Sequence, residues 1–164
     1  MQREHCMLRH IKNPIFTFIT LVLVSCSKES TELPELSQAQ SRHDVEQEMM
    51  SLVNDYRVAM GHPSLEYSAI AYEYASSHTD YMIAKGSISH DNFSARASNI
   101  AAEVDAAFVA ENVAKDYATA EDAFNGWLAS AAHRKTIEGE FTHTAVSVKE
   151  SASGVLYFTE LFFR

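Results

Sequence analysis

The sequence has little cysteine, glycine, proline or positive charge, and each shortage excludes a class of protein. Two cysteines, Cys6 and Cys26, are too few for a disulfide framework or a four-thiolate zinc site. Five glycines and three prolines exclude a collagen-like chain, and 10% aromatic residues exclude disorder along the whole length. No glycine-rich phosphate loop occurs, and no Gly-x-Ser-x-Gly elbow marks an activated serine. Lysine and arginine number 13 against 22 acids, a net charge of -9. That balance repels phosphate backbones, so nucleic acid is not an expected partner. What remains is 164 residues, 46% hydrophobic and 21% charged, which suits one globular domain.

The N-terminus reads as an address. Arg3, Arg9 and Lys12 precede an uncharged run over residues 13–27, centred on Ile15, Phe16, Phe18, Ile19 and residues 21–24. A spanning helix needs ~20 apolar residues, more than this run supplies. A basic stretch before a short apolar segment is the pattern of a secretory signal peptide, here starting at Met1 or Met7. The run ends LVSC at 23–26, which resembles the bacterial lipoprotein signal, in which small residues precede a cysteine that is lipidated before cleavage. The resemblance implies loss of residues 1–25 and a membrane anchor on Cys26, with acyl chains enough for stable attachment. Ser27 stands where an aspartate would hint at inner-membrane retention, so the outer membrane or cell surface is the expected location. Cleavage removes three bases and one acid, which takes the net charge from -9 to -11. It also leaves no free thiol, excluding a cysteine nucleophile or thiolate metal ligand. Residues 26–43, rich in Ser, Glu and Gln with Pro34 and no aromatic, read as a flexible tether.

The pattern changes at Asp44, where the folded domain, residues 44–164, is expected to begin. Val45, Met49, Leu52, Val53, Tyr56 and Met60 recur at helical spacing, and Gly61 supplies a stop. A second helix is predicted over 68–85, with Ala71, Ala75, His78 and Met82 on one face and Gly86 closing it. A polar loop at His90, Asp91 and Asn92 leads to a short helix near 95–104 and a strand over 108–114. Thr119 can cap a further helix running through Phe124 and Trp127, with Asp122 in the capping-box position. Residues 144–148 and 155–163 read as a hairpin turning at 151–154. The last run is apolar on both faces, so helices should cover both sides of its sheet. The expected fold is α+β, an α-β-α sandwich around a small antiparallel sheet.

Several segments, in order, resemble the CAP superfamily, or SCP domain, the group of cysteine-rich secretory proteins, venom allergens and plant pathogenesis-related proteins. They are LVNDYR at 52–57, ASSHTDYM at 75–82, SHDNF at 89–93 with Arg96, and ENVA at 111–114. WLASAAHR at 127–134 with Ile137, FTH at 141–143 and the aromatic run at 157–162 complete them. The similarity is to the short, disulfide-free bacterial branch. It implies a cleft in which two histidines and two acids converge, holding a divalent metal in some members. Carried onto this chain, His90 and His133 match the histidines and Glu111 matches one acid. The second acid would lie three residues after Trp127, where this chain has Ser130. Ala110, Ala145 and Ser147 replace residues that are commonly glycine in the family.

Two neutral imidazoles and a carboxylate at His90, Glu111 and His133 are a plausible zinc first shell with an open position for water. They are equally a hydrogen-bonded cluster that ties loops to a sheet. No His-Glu-x-x-His spacing favours the metal. Asn112 can line the cleft or fix backbone. Ser130, His133 and Glu111 are the residues a hydrolase would use as nucleophile, base and orienting acid. His78 is expected to pack in the core, as is Trp127, while His43, His62 and His143 are expected at the surface. The leading expectation is an envelope-anchored, non-enzymatic module binding a small ligand, lipid or divalent metal. A metal-assisted or serine-type hydrolase of envelope peptides or glycans, and an interaction scaffold, are the alternatives.

Overall fold

A computed structural model describes residues 39–164. The expected signal peptide, the expected lipidation site at Cys26 and most of the expected tether lie outside the described residues. In chain order the elements are β1 (Gln40–Ser41), α1 (His43–Ala59), β2 (Glu66–Tyr67), α2 (Ala69–Lys85) and α3 (Phe93–Val104). They continue with β3 (Val109–Lys115), α4 (Ala120–Ala129), α5 (Ala131–Ile137), β4 (His143–Glu150) and β5 (Leu156–Phe163). The sheet runs β1-β4-β5-β3, antiparallel throughout, and β2 adds a two-residue parallel pair to β4. The expected α-β-α sandwich is the observed one.

Register assigns each strand residue to a face. Val146, Val148, Phe158, Phe162 and Ala114 point to one side, where α1, α4 and α5 bring Met49, Val53, Phe124, Trp127 and Ile137. Ala145, Leu161 and Phe163 point to the other, against Ala71, Ala75 and Ile100 of α2 and α3. Every residue of β5 is buried, as a central strand covered on both faces requires. Trp127 closes the first core with its indole N–H donating to the Val113 carbonyl at 3.1 Å.

Local chemistry sets the helix ends. Ser68 caps α2 by accepting from the Ala71 amide, and Gly86 ends it with φ 74°, a left-handed conformation that a Cβ would strain. Thr119 accepts from the Asp122 amide and caps α4 as predicted. Three readings need correction. Met60 is the residue after α1 and is 54% exposed, because the helix ends at Ala59 and Gly61 turns the chain with φ 85°. Phe108 lies before β3, exposed and stacked on Phe141. Gln40–Ser41, assigned to the tether, pair with Glu150 and Lys149 along the edge of β4. α5, for which the sequence predicts no element, is separate from α4 because Ser130 takes an extended ψ of 118°.

Arg57 joins α1 to the turn after α5. Fully buried, it donates to the carbonyls of Pro63, Ile137, Gly139 and Phe141. Four acceptors for five N–H groups leave this buried cation nearly satisfied without a carboxylate.

Candidate functional site

β3 is an edge strand, and its neighbouring residues Glu111 and Asn112 leave it on opposite faces. Glu111 enters the α2/α3 side, where its side chain is 1% exposed. Its Oε2 accepts from Arg96 Nε at 2.9 Å and Nη2 at 2.7 Å, a bidentate pair. Its Oε1 accepts from His90 Nδ1 at 2.8 Å, and His78 Nε2 lies 3.8 Å from the same oxygen. The carboxylate therefore spends both oxygens on two partners. A buried ionised acid is tolerable under that condition, with a cation and several donors in contact.

The loop before α3 is built to place His90. Ser89 Oγ accepts from the Asp91 amide, and the Phe93 amide donates to the His90 carbonyl. Asn92 turns the chain with φ 58°, a left-handed conformation that asparagine tolerates better than most residues. Lys85, Tyr81 and Ser89 bind Asp91 and hold its carboxyl well below the usual range. With Nδ1–H directed to Glu111, the other ring nitrogen of His90 is left free, and its side chain is 55% exposed.

His78 is the packed histidine expected from its helix face, yet it belongs to the same cluster. Its Nε2–H donates to the Ser89 carbonyl at 2.6 Å, its ring stacks on Tyr81, and burial pushes its pKa down. His133, on α5, is also held neutral: burial lowers its pKa first, and neighbouring His90 pushes the same way. His133 Nδ1 is buried without a hydrogen-bond partner. His43 is exposed beside Glu46, and His143 stacks half-buried on Phe163.

The structure thus brings His90 and Glu111 together, with His133 near His90. It does not join His133 to Glu111, whose oxygens are taken. Ser130 contributes backbone only, its amide donating to Trp127 and its carbonyl accepting from Arg134. Asn112 is fully buried on the far face and donates from Nδ2 to the His133 carbonyl at 3.2 Å. Arg96 and His78 are site residues that spacing did not identify. Arg96 was visible only as one residue of the family pattern, and His78 only as a core position.

A zinc ion held by His90, Glu111 and His133 does not fit this arrangement. Among the described residues no three His, Cys, Asp or Glu side chains converge to hold an ion. A cation on Glu111 would also sit against the Arg96 guanidinium. Serine hydrolysis lacks its chain of hydrogen bonds, since nothing bonds His133 Nδ1. A depression of about 280 Å³ between α2 and α3 reaches His78 and Arg96, lined also by Tyr74, Tyr81, Asn92 and Asn99. A cavity of about 530 Å³ lies away from the cluster, beside Met50, Tyr67, Tyr72 and Val146.

Comparison with known proteins bears on the family and the fold. Residues 50–162 match the model of the cysteine-rich secretory protein family, CAP. Among solved structures, an outer surface protein from Borrelia burgdorferi superposes with a TM-score of 0.71 at 14% identity, covering 79% of this chain and 98% of that one. An extracellular protein containing an SCP domain, from Bacillus anthracis, gives 0.64 at 25% identity over 74% of this chain and 41% of that one. A cysteine-rich secretory protein from Staphylococcus aureus gives 0.62 at 14% identity over 80% of this chain and 40% of that one. No curated protein matches the sequence. With two thirds of its length inside the family pattern and a fold shared with these structures, the chain belongs to the CAP, or cysteine-rich secretory protein, family.

Proposed function

We propose that this protein is an envelope-anchored, non-enzymatic binding module that holds a small organic ligand at the β3 edge. The observation that carries the reading is the state of Glu111. Locked between Arg96 and His90, it is a structural anion and fixes Nδ1 of His90, whose side chain is 55% exposed. His133, whose buried Nδ1 has no hydrogen-bond partner, lies nearby. An exposed imidazole edge held in one orientation suits hydrogen bonding to a ligand. The carboxylate of the cluster, Glu111, is committed to Arg96 and His90. The lipoprotein pattern ending at Cys26 supports attachment to a membrane, and Ser27 supports the outer membrane. The relatives described as an outer surface protein and as extracellular are consistent with an extracytoplasmic location.

The test is native mass spectrometry of the protein purified from its own envelope, beside His90→Ala and His133→Ala. The expected result is an organic molecule that co-purifies with wild type and is lost from both variants. A co-purifying divalent metal would replace this reading with a metal site. A bare protein whose melting temperature ignores zinc and envelope extracts alike would leave the scaffold role.

A further inference from the structure

The centre of β5 carries an ionisable side chain that the ligand cleft does not use. Glu160 is completely buried, on the sheet face covered by α1, α4 and α5. Its Oε1 lies 3.2 Å from Thr144 Oγ1, but that hydroxyl has one hydrogen and lies closer, at 2.8 Å, to the Leu161 carbonyl. Its Oε2 has no hydrogen-bond partner at all. Directly opposite in the ladder stands Asn112 of β3, also fully buried, and Asn112 Oδ1 is likewise without a partner. The amide cannot be turned over to help, because its Nδ2 is needed by the His133 carbonyl.

Two unpartnered acceptor oxygens on facing residues of a dry core are both satisfied by one hydrogen between them. We propose that Glu160 is a neutral carboxylic acid whose Oε2–H donates to Asn112 Oδ1, and that this pair positions the backbone of α5 at His133. The chain of bonds then runs from Glu160 Oε2 to Asn112 Oδ1, and from Asn112 Nδ2 to the His133 carbonyl. A core residue so sets the placement of a cleft histidine.

The surroundings supply no reason for ionisation. From α1 the charged group facing Glu160 is Arg57, whose N–H groups are committed to four backbone carbonyls and which forms no ion pair with it. β4 offers the Thr144 hydroxyl, and α4 offers the apolar Ala123, Phe124 and Trp127 to the same core. α5 brings His133, itself held neutral. Burial pushes the Glu160 carboxyl up to about 8, against smaller opposing contributions from Thr144 and Arg57.

That His133 belongs to a ligand cleft rests on the function proposed above, whereas the Glu160–Asn112 bond does not. The experiment therefore needs no ligand. In the full-length protein held in detergent, infrared spectra at about pH 6 should contain a protonated carboxyl band that Glu160→Gln abolishes. Glutamine keeps a donor for Asn112, so that variant should retain wild-type imidazole shifts for His133 in nitrogen-15 spectra. Its stability should also lose the decline that wild type undergoes as pH rises from the ordinary glutamate range toward about 8. Glu160→Leu removes the donor, and Asn112→Ala removes the link while keeping the fold should the first fail to fold. Each should move the His133 signals. The neutral acid is overturned if the band is absent from wild type or survives in Glu160→Gln. The positioning role is overturned if the band is present but the His133 signals do not respond in Asn112→Ala.

Discussion

The two faces of the sheet solve one problem, a buried carboxyl group, in opposite ways. On the α2/α3 face Glu111 is surrounded by donors: two Arg96 nitrogens and His90, with His78 just beyond hydrogen-bonding distance. On the α1/α4/α5 face Glu160 has one shared hydroxyl and a cation whose hydrogens go elsewhere. The difference follows from position. Glu111 lies on an edge strand within reach of a helix that can carry an arginine and of a loop that can carry a histidine. Glu160 lies on a central strand against a packed apolar layer, where a second charge would itself have to be desolvated. An ion pair at the opening and a neutral acid in the core are the consistent outcomes.

The largest effect should come from breaking the charged side of this comparison. Arg96→Met leaves Glu111 buried with a histidine in place of its cation, and loss of one partner of a buried pair costs about 3–5 kcal/mol. Urea unfolding should register that loss. Arg96→Met combined with Glu111→Leu should recover much of it, because a matched apolar pair removes the stranded charge. A single variant close to wild type would mean that the pair is solvated in solution and that the contrast between the two faces is false.

How far these sites could be read from the sequence depends on the range of the interaction involved. The ends of α2 were legible because Ser68 and Gly86 act within one turn of their own positions. The double-sided burial of β5 was legible because every position in the run is bulky or hydroxylated. β1 and β2 are two residues each, too short for alternation to register, and exist only because β4 has an outer edge to pair with. α5 went unassigned because it is only seven residues long and is set off from α4 by the extended ψ of Ser130, a break that no helix-stopping residue marks. His90 and Glu111 came from the family pattern, but the Arg96–Glu111 pair spans a helix and a strand, and no local spacing encodes it. Asn112 is a different case. Strict alternation along a strand already places it opposite Glu111, so its assignment to the same cleft could have been rejected from the sequence.

A second prediction separates the neutral acid from the buried histidines by pH. His78 and His133 have folded-state pKa values below the ordinary imidazole value, through burial above all. The unfolded chain therefore binds more protons as pH falls through the ordinary histidine range, and stability is lost on the acid side. Glu160 has the opposite sign. Its folded pKa is raised to about 8, so the folded state binds the extra proton and stability is lost as pH rises through that interval. Wild type should thus show a maximum between two declining limbs. Urea midpoints measured across that range should keep the acid limb in Glu160→Gln and lose the other. An acid limb that vanishes with the glutamine variant would assign both limbs to one group.

The smallest effect is also the cleanest way to tell the faces apart. Ser68 caps α2, which carries His78, and Thr119 caps α4, which carries Trp127 on the opposite face. Each accepts one hydrogen bond from an amide of the first turn, so Ser68→Ala and Thr119→Ala should each cost about 1 kcal/mol of stability. Equal costs in stability should have unequal consequences for the cluster. Fraying the start of α2 loosens the helix that aims His78 Nε2 at the Ser89 carbonyl and so holds the loop bearing His90. The imidazole shifts of His78 and His90 should move in Ser68→Ala and stay at their wild-type positions in Thr119→Ala. If both variants move them alike, the sheet transmits small changes between its faces, and the edge cluster and buried acid act as one coupled polar network.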